Sequence, residues 1–404
     1  MKNKQLVYLF FCNFAVFFIG GALLPLLPLY ATELGASSTL TGLYLGIIYL
    51  AIAAGTMLAG WLAESLPPKS LFVGAGSLGV PMLVLHGQVT TFWQLILLTS
   101  TVWFCAGIGT ALVSVFISLH ADNQHRGKSF SLMFLARPLG SVLGGLTAGQ
   151  LVAWQGYPLL FVVLGAVWAG WPVVALIAVE YKSAARPIRS VEIIKEVRPA
   201  QPGLAFHLLL LAAFLSTTVV YFGRLGTSLS MQLLNFSPQV VANTAAAGAL
   251  VTIPITPVIG TLSDRLGRKI VLILCYLLAA AGVLTLSLAT ESWHFGLATV
   301  FLLVTNSANG SAAAALATDL LDRKTLSRSL PWLNGVTWFG GVAGFAGAGY
   351  IIDNLGAATL YYVAVGLSLL AAIQIGLLAG RRWASWVQLS SLRITKVAPT
   401  PKKA

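Results

Sequence analysis

The sequence has few charged residues. Only 9% of its 404 residues are charged, whereas 57% are hydrophobic. Charged residues make up about a quarter of an ordinary water-soluble domain, so the composition excludes that class of protein. The hydrophobic residues form runs long enough to cross a lipid bilayer as helices. The sequence therefore predicts an all-α membrane protein.

Cysteine and histidine are scarce as well. The three cysteines are Cys12, Cys105 and Cys275. They lie far apart inside hydrophobic runs, which excludes a disulfide framework and suggests small buried side chains. His120, Asp122 and His125 are close in sequence, but their spacing fits no defined metal site. Neither a metal nor a cofactor is predicted.

Twelve hydrophobic stretches have the length of a membrane span, which is about 20 residues. Gly87–Thr91 separates the third from the fourth, and Trp154–Pro158 separates the fifth from the sixth. The predicted spans are 6–32, 40–63, 70–87, 92–119, 128–153, 157–180, 204–234, 239–262, 269–290, 293–318, 329–352 and 357–380.

The basic residues predict the orientation. With the N-terminus inside, every base outside the spans falls on the cytoplasmic side, as the positive-inside rule requires. These bases are Lys2, Lys4, Lys69, Arg126, Lys128, the five between Lys182 and Arg198, Arg265, Arg268, Lys269, Arg323, Lys324, Arg328 and the six from Arg381 onward. The net charge of +13 therefore reflects topology, and no nucleic-acid partner is expected. We expect a multi-pass plasma-membrane protein, in bacteria of the inner membrane, with both termini cytoplasmic.

The chain repeats itself with an offset of 200 residues. The glycines Gly140, Gly144, Gly149 and Gly156 recur as Gly340, Gly344, Gly349 and Gly356. We expect two pseudo-symmetric six-helix bundles, 1–180 and 204–382, joined by a cytoplasmic linker, 181–203, and followed by a basic tail, 383–404. The linker is either a short amphipathic helix around 190–197 or a solvated tether.

A polar turn from Gly260 to Lys269 carries one carboxylate and three cations between two hydrophobic runs. Gly260 and Gly267 permit a close helix approach and a tight turn. Asp264 can accept from a neighbouring helix N-terminus and pair with Arg265 or Arg268. The alternative is a basic turn that only fixes topology.

A degenerate copy of this turn lies in the first half. There Gly60, Glu64 and Lys69 are in register with Gly260, Asp264 and Lys269. Ser65 replaces the arginine, and two prolines replace Gly-Arg. The first-half turn is therefore expected to be weaker or merely structural.

These features together resemble the major facilitator superfamily. The pattern Gly-x-Leu-x-Asp-Arg-x-Gly-Arg-Lys falls between the eighth and ninth spans, as it does in that family. Leu24–Tyr30 and the glycines of the fifth span are most similar to its twelve-span drug-export branch. The match is incomplete, since Gly145 replaces a proline and Thr99 a basic residue. The resemblance implies that the turn latches the outward-facing state, and that spans one, four, seven and ten build the cavity.

Two arginines lie inside predicted spans. Arg137 is in the fifth span and Arg224 in the seventh, so each half contributes one. A charge near the bilayer centre costs a few kcal/mol even on lenient scales. Both arginines are candidates for binding an anionic or strongly polar group. The alternative is that helix carbonyls freed near Pro138 and the local glycines satisfy them.

Uncharged polar residues give further candidates. On the cavity-building spans implied by the resemblance, Asn13, Tyr221, Asn306 and Asn309 are predicted to contact substrate. Asn306 and Asn309 are one turn apart and share a helix face. For each amide, hydrogen bonding between helices is the alternative.

Acidic residues are missing from the middle of the spans. All eleven lie in loops or at span ends: Glu33, Glu64, Asp122, Glu180, Glu192, Glu196, Asp264, Glu291, Asp319, Asp322 and Asp353. A coupling proton usually binds a buried acid. Coupling could use another group, or the protein could be a facilitator or exchanger. We interpret Glu33 as an interfacial anchor.

The predicted function is secondary active transport of a small organic solute by a monomer, with export of lipophilic or amphiphilic compounds favoured. An alternative is uptake or exchange of an organic anion bound by the two arginines. A non-transporting sensor is the alternative from another class. An enzyme is not expected, because the span interiors lack carboxylates and histidines.

Overall fold

The computed structural model describes residues 3–120, 126–179, 203–321 and 323–378, and nearly all of them are helical. A π-helical turn, Asn309–Ala313, joins the tenth and eleventh helices. The helices are α1 (Asn3–Leu23), α2 (Leu27–Glu33), α3 (Ser38–Ser65), α4 (Pro68–His86), α5 (Phe92–His120), α6 (Arg126–Ala178), α7 (Leu204–Leu233), α8 (Pro238–Leu266), α9 (Arg268–Ser287), α10 (Ser292–Ala308), α11 (Ala314–Leu320), α12 (Arg323–Leu355) and α13 (Ala357–Leu377).

The prediction of an all-helical membrane protein with twelve spans is confirmed. Eleven helical segments in the described ranges are long and apolar enough to cross a membrane. One of them, Leu135–Ile177, has the length of two spans. Gln155 and Gly156 have non-helical backbone angles and divide α6 there. The predicted break at 154–158 is thus confirmed.

Two predicted spans are interrupted. The first consists of α1 and α2, which are separated at Leu24–Leu26, next to Pro25 and Pro28. The tenth contains the π-helical turn between α10 and α11. Proline removes a backbone donor and bends a helix, and π-turns are frequent at functional sites. Both interruptions lie within spans that the resemblance predicts to build the cavity.

Local geometry repeats with the same offset of 200 residues. Gly35 and Asn235 both have a positive φ, at 82° and 59°. Each is followed by a serine whose hydroxyl caps the next helix: Ser37 accepts from the backbone of Leu40 at 3.3 Å, and Ser237 accepts from that of Val240 at 3.4 Å.

The repeated glycines make equivalent helix contacts. A Cβ on Gly144 would clash with the backbone carbonyl of Phe18, and one on Gly344 would crowd that of Thr218. Phe18 and Thr218 are themselves 200 residues apart. Thr32 and Gln232, another such pair, hydrogen-bond to each other at 2.7 Å. Contact between equivalent residues places them at the pseudo-twofold axis.

The two halves pack through α3 against α12 and α6 against α8. We call the end of the bundle that carries Lys69, Arg268 and Lys269 the basic end, and the opposite one the distal end. Several hydrogen bonds join the halves at the distal end. Besides Thr32–Gln232, Ser228 donates to the Pro25 carbonyl at 3.2 Å.

Asp353 makes a charged contact between the halves. Its carboxylate accepts from the backbone N–H groups of Ser38 at 3.1 Å and Thr39 at 2.7 Å. A carboxylate is favourable at a helix N-terminus, so α12 caps α3 across the interface. The halves are therefore closed at the distal end.

The predicted linker lies outside the described residues except for Gly203, and so does the tail 383–404. Helix α6 ends at Ala178 and α7 begins at Leu204. The division into two bundles with a linker and a tail stays a prediction.

Candidate functional site

A cavity of about 240 Å³ lies between the two halves. Helices α1, α3, α5 and α6 contribute walls from the first half, and α7, α8, α10 and α12 from the second. Its large aromatic lining residues are Phe17, Tyr49, Trp103, Trp168, Tyr221, Trp338 and Phe345. No acidic residue is among the described residues that line it. The walls are mostly apolar, with a few polar groups, as is usual for small-molecule sites.

Both intramembrane arginines line this cavity. The Arg224 guanidinium carbon lies 5.2 Å from the ring centre of Tyr221, one turn away on the same helix. That of Arg137 lies 5.6 Å from the ring centre of Phe17 on α1. Neither guanidinium forms an ion pair or hydrogen bond with another described residue. A cation–π contact offsets only part of the charge, so the cavity holds two unneutralised cations.

The two arginines lie at different depths. Arg137 lies three residues before Gly140, whose backbone packs against Phe17 and Phe18 of α1. Arg224 lies one turn before Ser228, which hydrogen-bonds to Pro25 at the far end of α1. Arg137 is therefore the one nearer the basic end.

An aromatic cluster joins the halves beside Arg224. Tyr49 of the first half lies 4.8 Å from Tyr221, 5.2 Å from Phe345 and 5.9 Å from Trp338 of the second half, measured between ring centres. Such offset and edge-on pairs are worth about 0.5–1.5 kcal/mol each. The cluster thus fills the interface where α3 meets α7 and α12, and it forms part of the cavity wall.

Three of the six predicted substrate-binding residues, Arg137, Arg224 and Tyr221, lie in the cavity together. The three amides do not line it. Asn13 donates to the Met133 carbonyl at 3.3 Å, so it joins α1 to α6. Asn13 and Asn309 join helices in this conformation, as their alternative interpretation predicts, whereas no such contact with another described residue is seen for Asn306. Substrate contact stays a prediction for all six.

Asn309 lies at the centre of a buried hydrogen-bond network. Its side-chain oxygen accepts from the Tyr276 hydroxyl at 2.9 Å. Its amide nitrogen donates to Ser216 at 3.0 Å and Thr217 at 3.4 Å. Asn306, one turn earlier, is half-buried. Asn309 thus joins the tenth span to α7 and α9.

The sequence reasoning missed several cavity residues. Ser141 and Thr227 line the cavity one turn beyond Arg137 and Arg224, respectively. The Thr227 side chain is only 8% exposed, and its hydroxyl has no hydrogen-bond partner among the described residues. Helical spacing from each arginine would have identified both hydroxyls. No signal in the sequence singled out Tyr49.

The polar turn at the basic end makes several contacts with neighbouring helices. Gly267 has a φ of +97°, which favours glycine. Arg268 forms an ion pair with Asp319 and donates to the Ala315 carbonyl at 2.6 Å. Lys269 donates to the Leu378 carbonyl at 2.7 Å. These contacts all stay within the second half.

Asp264 forms an ion pair with neither of its two candidate partners, Arg265 and Arg268, within the described residues, and Arg268 pairs with Asp319 instead. Asp264 and Arg265 are exposed. Asp264 has no hydrogen bond or ion pair within the described part of the chain. Gly260 and its first-half equivalent Gly60 face open space.

The first-half copy of the turn makes one comparable contact. Lys69 donates to the Leu176 carbonyl at 3.0 Å, as Lys269 does in the second half. The Glu64 side chain lies outside what the structure describes. The latch role of both turns stays a prediction.

Two titratable groups lie near the distal end. Glu33 ends α2, and burial raises the pKa of its carboxyl while the nearby Tyr157 hydroxyl lowers it. The expectation that spans lack histidine is wrong at His86, which is fully buried at the end of α4. Its ring nitrogens lie 2.6 Å from the Met82 carbonyl and 2.9 Å from the Thr99 hydroxyl. Since both nitrogens have partners, His86 has a structural role.

The segment from His120 to His125, for which the sequence predicts no metal site, lies largely outside the described residues. Within the described ranges, no three histidine, cysteine or acidic side chains form a metal-binding group.

Residues 9–237 and 209–390 match the family described as Major Facilitator Superfamily. Among solved structures, the nucleoside transporter NupG superposes with a TM-score of 0.75 at 15% identity, covering 94% of this chain and all of NupG. A bacterial homolog of the human lysosomal transporter Spinster, in an inward-facing and occupied conformation, superposes with a TM-score of 0.69 at 16% identity, covering 100% of both chains. These structures share the fold.

A curated relative is similar to part of the chain. The multidrug resistance protein MdtG of Salmonella schwarzengrund is 26% identical over 172 residues, which are 41% of this chain and 43% of MdtG. The protein of the same name from Salmonella arizonae aligns over the same lengths at the same identity. The chain thus spans less than half the length of the curated relatives it matches.

Proposed function

Because the chain belongs to the major facilitator superfamily and is therefore a secondary transporter, we propose that it exports small lipophilic or amphiphilic organic compounds by alternating access. The observation that carries the proposal is the central cavity, whose aromatic walls come from both halves. MdtG, which is similar to part of the chain, is named a multidrug resistance protein, and that name supports export as the direction of transport.

The described conformation fits the start of an export cycle. The halves are joined by hydrogen bonds at the distal end. At the basic end, Lys69 and Arg268 each donate a hydrogen bond to a carbonyl of their own half. We propose that the basic end faces the cytoplasm of a plasma membrane, where positive loops are retained. The cavity then receives its substrate from the cytoplasm or the inner leaflet.

The moving parts are the two six-helix bundles, 1–180 and 204–382, which act as a monomer. In the outward-facing state, the turn containing Gly260, Asp264 and Arg265 docks against the opposite half and latches the basic end. In the described conformation Asp264 is exposed, so its carboxylate is accessible for such docking.

A reversible cross-link tests the mechanism. In a cysteine-free background, Thr39→Cys and Asp353→Cys introduce thiols at the distal contact between the halves. Oxidation should stop transport in proteoliposomes, and reduction should restore it, because the locked halves cannot open outward. Each single-cysteine variant serves as the control. Full transport by the oxidised double variant would contradict alternating access through this interface.

A second assay tests the substrates and direction. Proteoliposomes are offered a panel of lipophilic dyes and drugs, with either a pH gradient or a membrane potential imposed and then collapsed by an ionophore. We expect accumulation on the side of the distal end. A protein that moves none of the panel, while cysteine labelling shows both faces opening, would remain a transporter but not an exporter of such compounds.

A further inference from the structure

The charge in the cavity indicates which amphiphiles it accepts. We propose that the substrates are amphiphilic organic anions, whose acidic group binds Arg224 and Thr227 from one half and Arg137 from the other. This inference rests on the proposed transport function and names its substrate class.

The first argument is electrostatic. Arg137 and Arg224 both line the cavity, and within the described residues neither has an acidic or hydrogen-bonding partner. While the cavity admits water, the guanidinium groups can stay hydrated. When the halves close, that water is largely lost, and an unpaired buried charge is strongly unfavourable. A bound anion supplies the missing partner, whereas a cationic compound would meet two like charges.

The second argument is an unused donor. Thr227 is 8% exposed, lines the cavity and makes no hydrogen bond within the described ranges. It follows Arg224 by three residues, so both side chains lie on one face of α7. Buried polar groups normally have a partner. A carboxylate or sulfonate that binds the Arg224 guanidinium can use another oxygen to accept a hydrogen bond from the Thr227 hydroxyl.

The third argument concerns the rest of the ligand. Trp103, Trp168 and Trp338 line the same cavity as the two arginines. Aromatic walls bind an apolar, and preferably aromatic, body by burial and stacking. A small inorganic anion would use the arginines but leave these walls uncovered. The complementary ligand therefore has an acidic head and a hydrophobic body.

A matched pair of probes tests the inference. Naphthalene-2-sulfonate carries a permanent negative charge, and naphthalene-2-sulfonamide has the same rings without it. Calorimetric titration of the purified protein should give at least about tenfold tighter binding of the sulfonate, which is the effect of one hydrogen-bonded charge. Arg224→Gln should remove most of that preference and leave sulfonamide binding unchanged.

Further variants separate the contributions. Arg137→Gln should lower sulfonate affinity, and Thr227→Val should lower it by a smaller factor, of about 3 to 10. Arg224→Lys should retain part of the preference, because it keeps the charge without the planar fork. Lys4→Gln, which removes an exposed charge outside the cavity, is the control for net charge and should change nothing.

The outcomes distinguish the two proposals. Equal binding of both probes, or equal losses for both in Arg224→Gln, would overturn the anion site and leave export of neutral compounds intact. If neither probe binds, while the wild-type protein transports neutral dyes, the anion inference fails alone. If neither probe binds and no dye is transported, both proposals fail.

Discussion

Asn309 shows how a single amide can hold a membrane bundle together. It accepts from Tyr276 of α9 and donates to Ser216 and Thr217 of α7. All four groups are buried. In the bilayer, a polar side chain that loses its partner has no water to replace it. We therefore assign Asn309 to stability rather than to ligand contact in this conformation.

Replacing Asn309 should reduce stability without changing ligand affinity. We expect Asn309→Ala to lower the free energy of unfolding by about 1–2 kcal/mol, the upper range for hydrogen bonds between membrane helices. Thermal unfolding of the purified protein measures this, and calorimetry with a cavity ligand measures binding. Asn306→Ala, one turn away and half-buried, is the matched control and should have a smaller effect. A large loss of affinity in a stable Asn309→Ala protein would show that the amide contacts substrate.

Sequence predicted the arginines of the cavity better than the amides, for a physical reason. A guanidinium cannot remain in the acyl chains, so Arg137 and Arg224 had to face the interior. An amide is also satisfied between two helices, which is where Asn13 and Asn309 lie. The apolar pattern gives little help, because lipid-facing and buried helix faces are both hydrophobic.

The contact between α12 and α3 makes the distal closure asymmetric. Asp353 accepts two backbone hydrogen bonds from the first turn of α3. The equivalent position in the first half is Ala153, so α6 offers α8 no such carboxylate. One residue therefore supplies the charged contact that holds this side of the interface.

Removing this carboxylate should favour the outward-facing state. An exposed carboxylate at a helix N-terminus contributes about 0.3–1 kcal/mol, and Asp353 is exposed, so Asp353→Ala should raise the outward-facing population about two- to fivefold. An Ala245→Cys reporter in the cavity wall, labelled with an impermeant thiol reagent from the distal side, measures this. Asp353→Asn keeps one acceptor oxygen and should give an intermediate rate.

The proposed latch gives a prediction of opposite sign. If Asp264 stabilises the outward-facing state, adding Asp264→Asn to Asp353→Ala should slow labelling of the same reporter. Lys4→Gln, which is also at the basic end but outside the turn, is the control and should leave the labelling rate unaltered. Faster labelling in the double variant would mean that Asp264 does not latch that state.

At the scale of the whole molecule, the sequence repeat was the main basis for predicting the fold. An offset of 200 residues in the glycines required two similar halves, and the structure places those glycines in equivalent contacts. The break at Gln155 and Gly156 was readable from a polar, glycine-containing segment. The conformation was not predictable, because one sequence must encode both states at similar free energy. The interruptions at Pro25 and at Asn309–Ala313 were missed, since both lie inside continuous apolar runs.

An electrogenic cycle that exports anions, as proposed above, would explain both the absence of a mid-span acid and the presence of two cavity cations. No acidic side chain is among the described residues that line the cavity, so a proton has no obvious carboxylate to bind. An exported anion needs none. Moving one negative charge out of a compartment that is negative inside releases about 2.3 kcal/mol per 100 mV, which supports a concentration ratio of about 50.

We therefore expect the membrane potential, and not the pH gradient, to drive export. Proteoliposomes loaded with naphthalene-2-sulfonate should release it faster when valinomycin and a potassium gradient make the interior negative. In a separate arm with equal potassium on both sides, a pH gradient is imposed and then collapsed with nigericin, and neither step should change the rate of release. Protein-free liposomes and Arg224→Gln protein give the background, because the permanently charged probe crosses lipid slowly. If the release rate instead depends on the pH gradient and not on the membrane potential, transport is coupled to a proton that binds a group other than a cavity carboxylate. His86 and Glu33 would then be the first residues to replace.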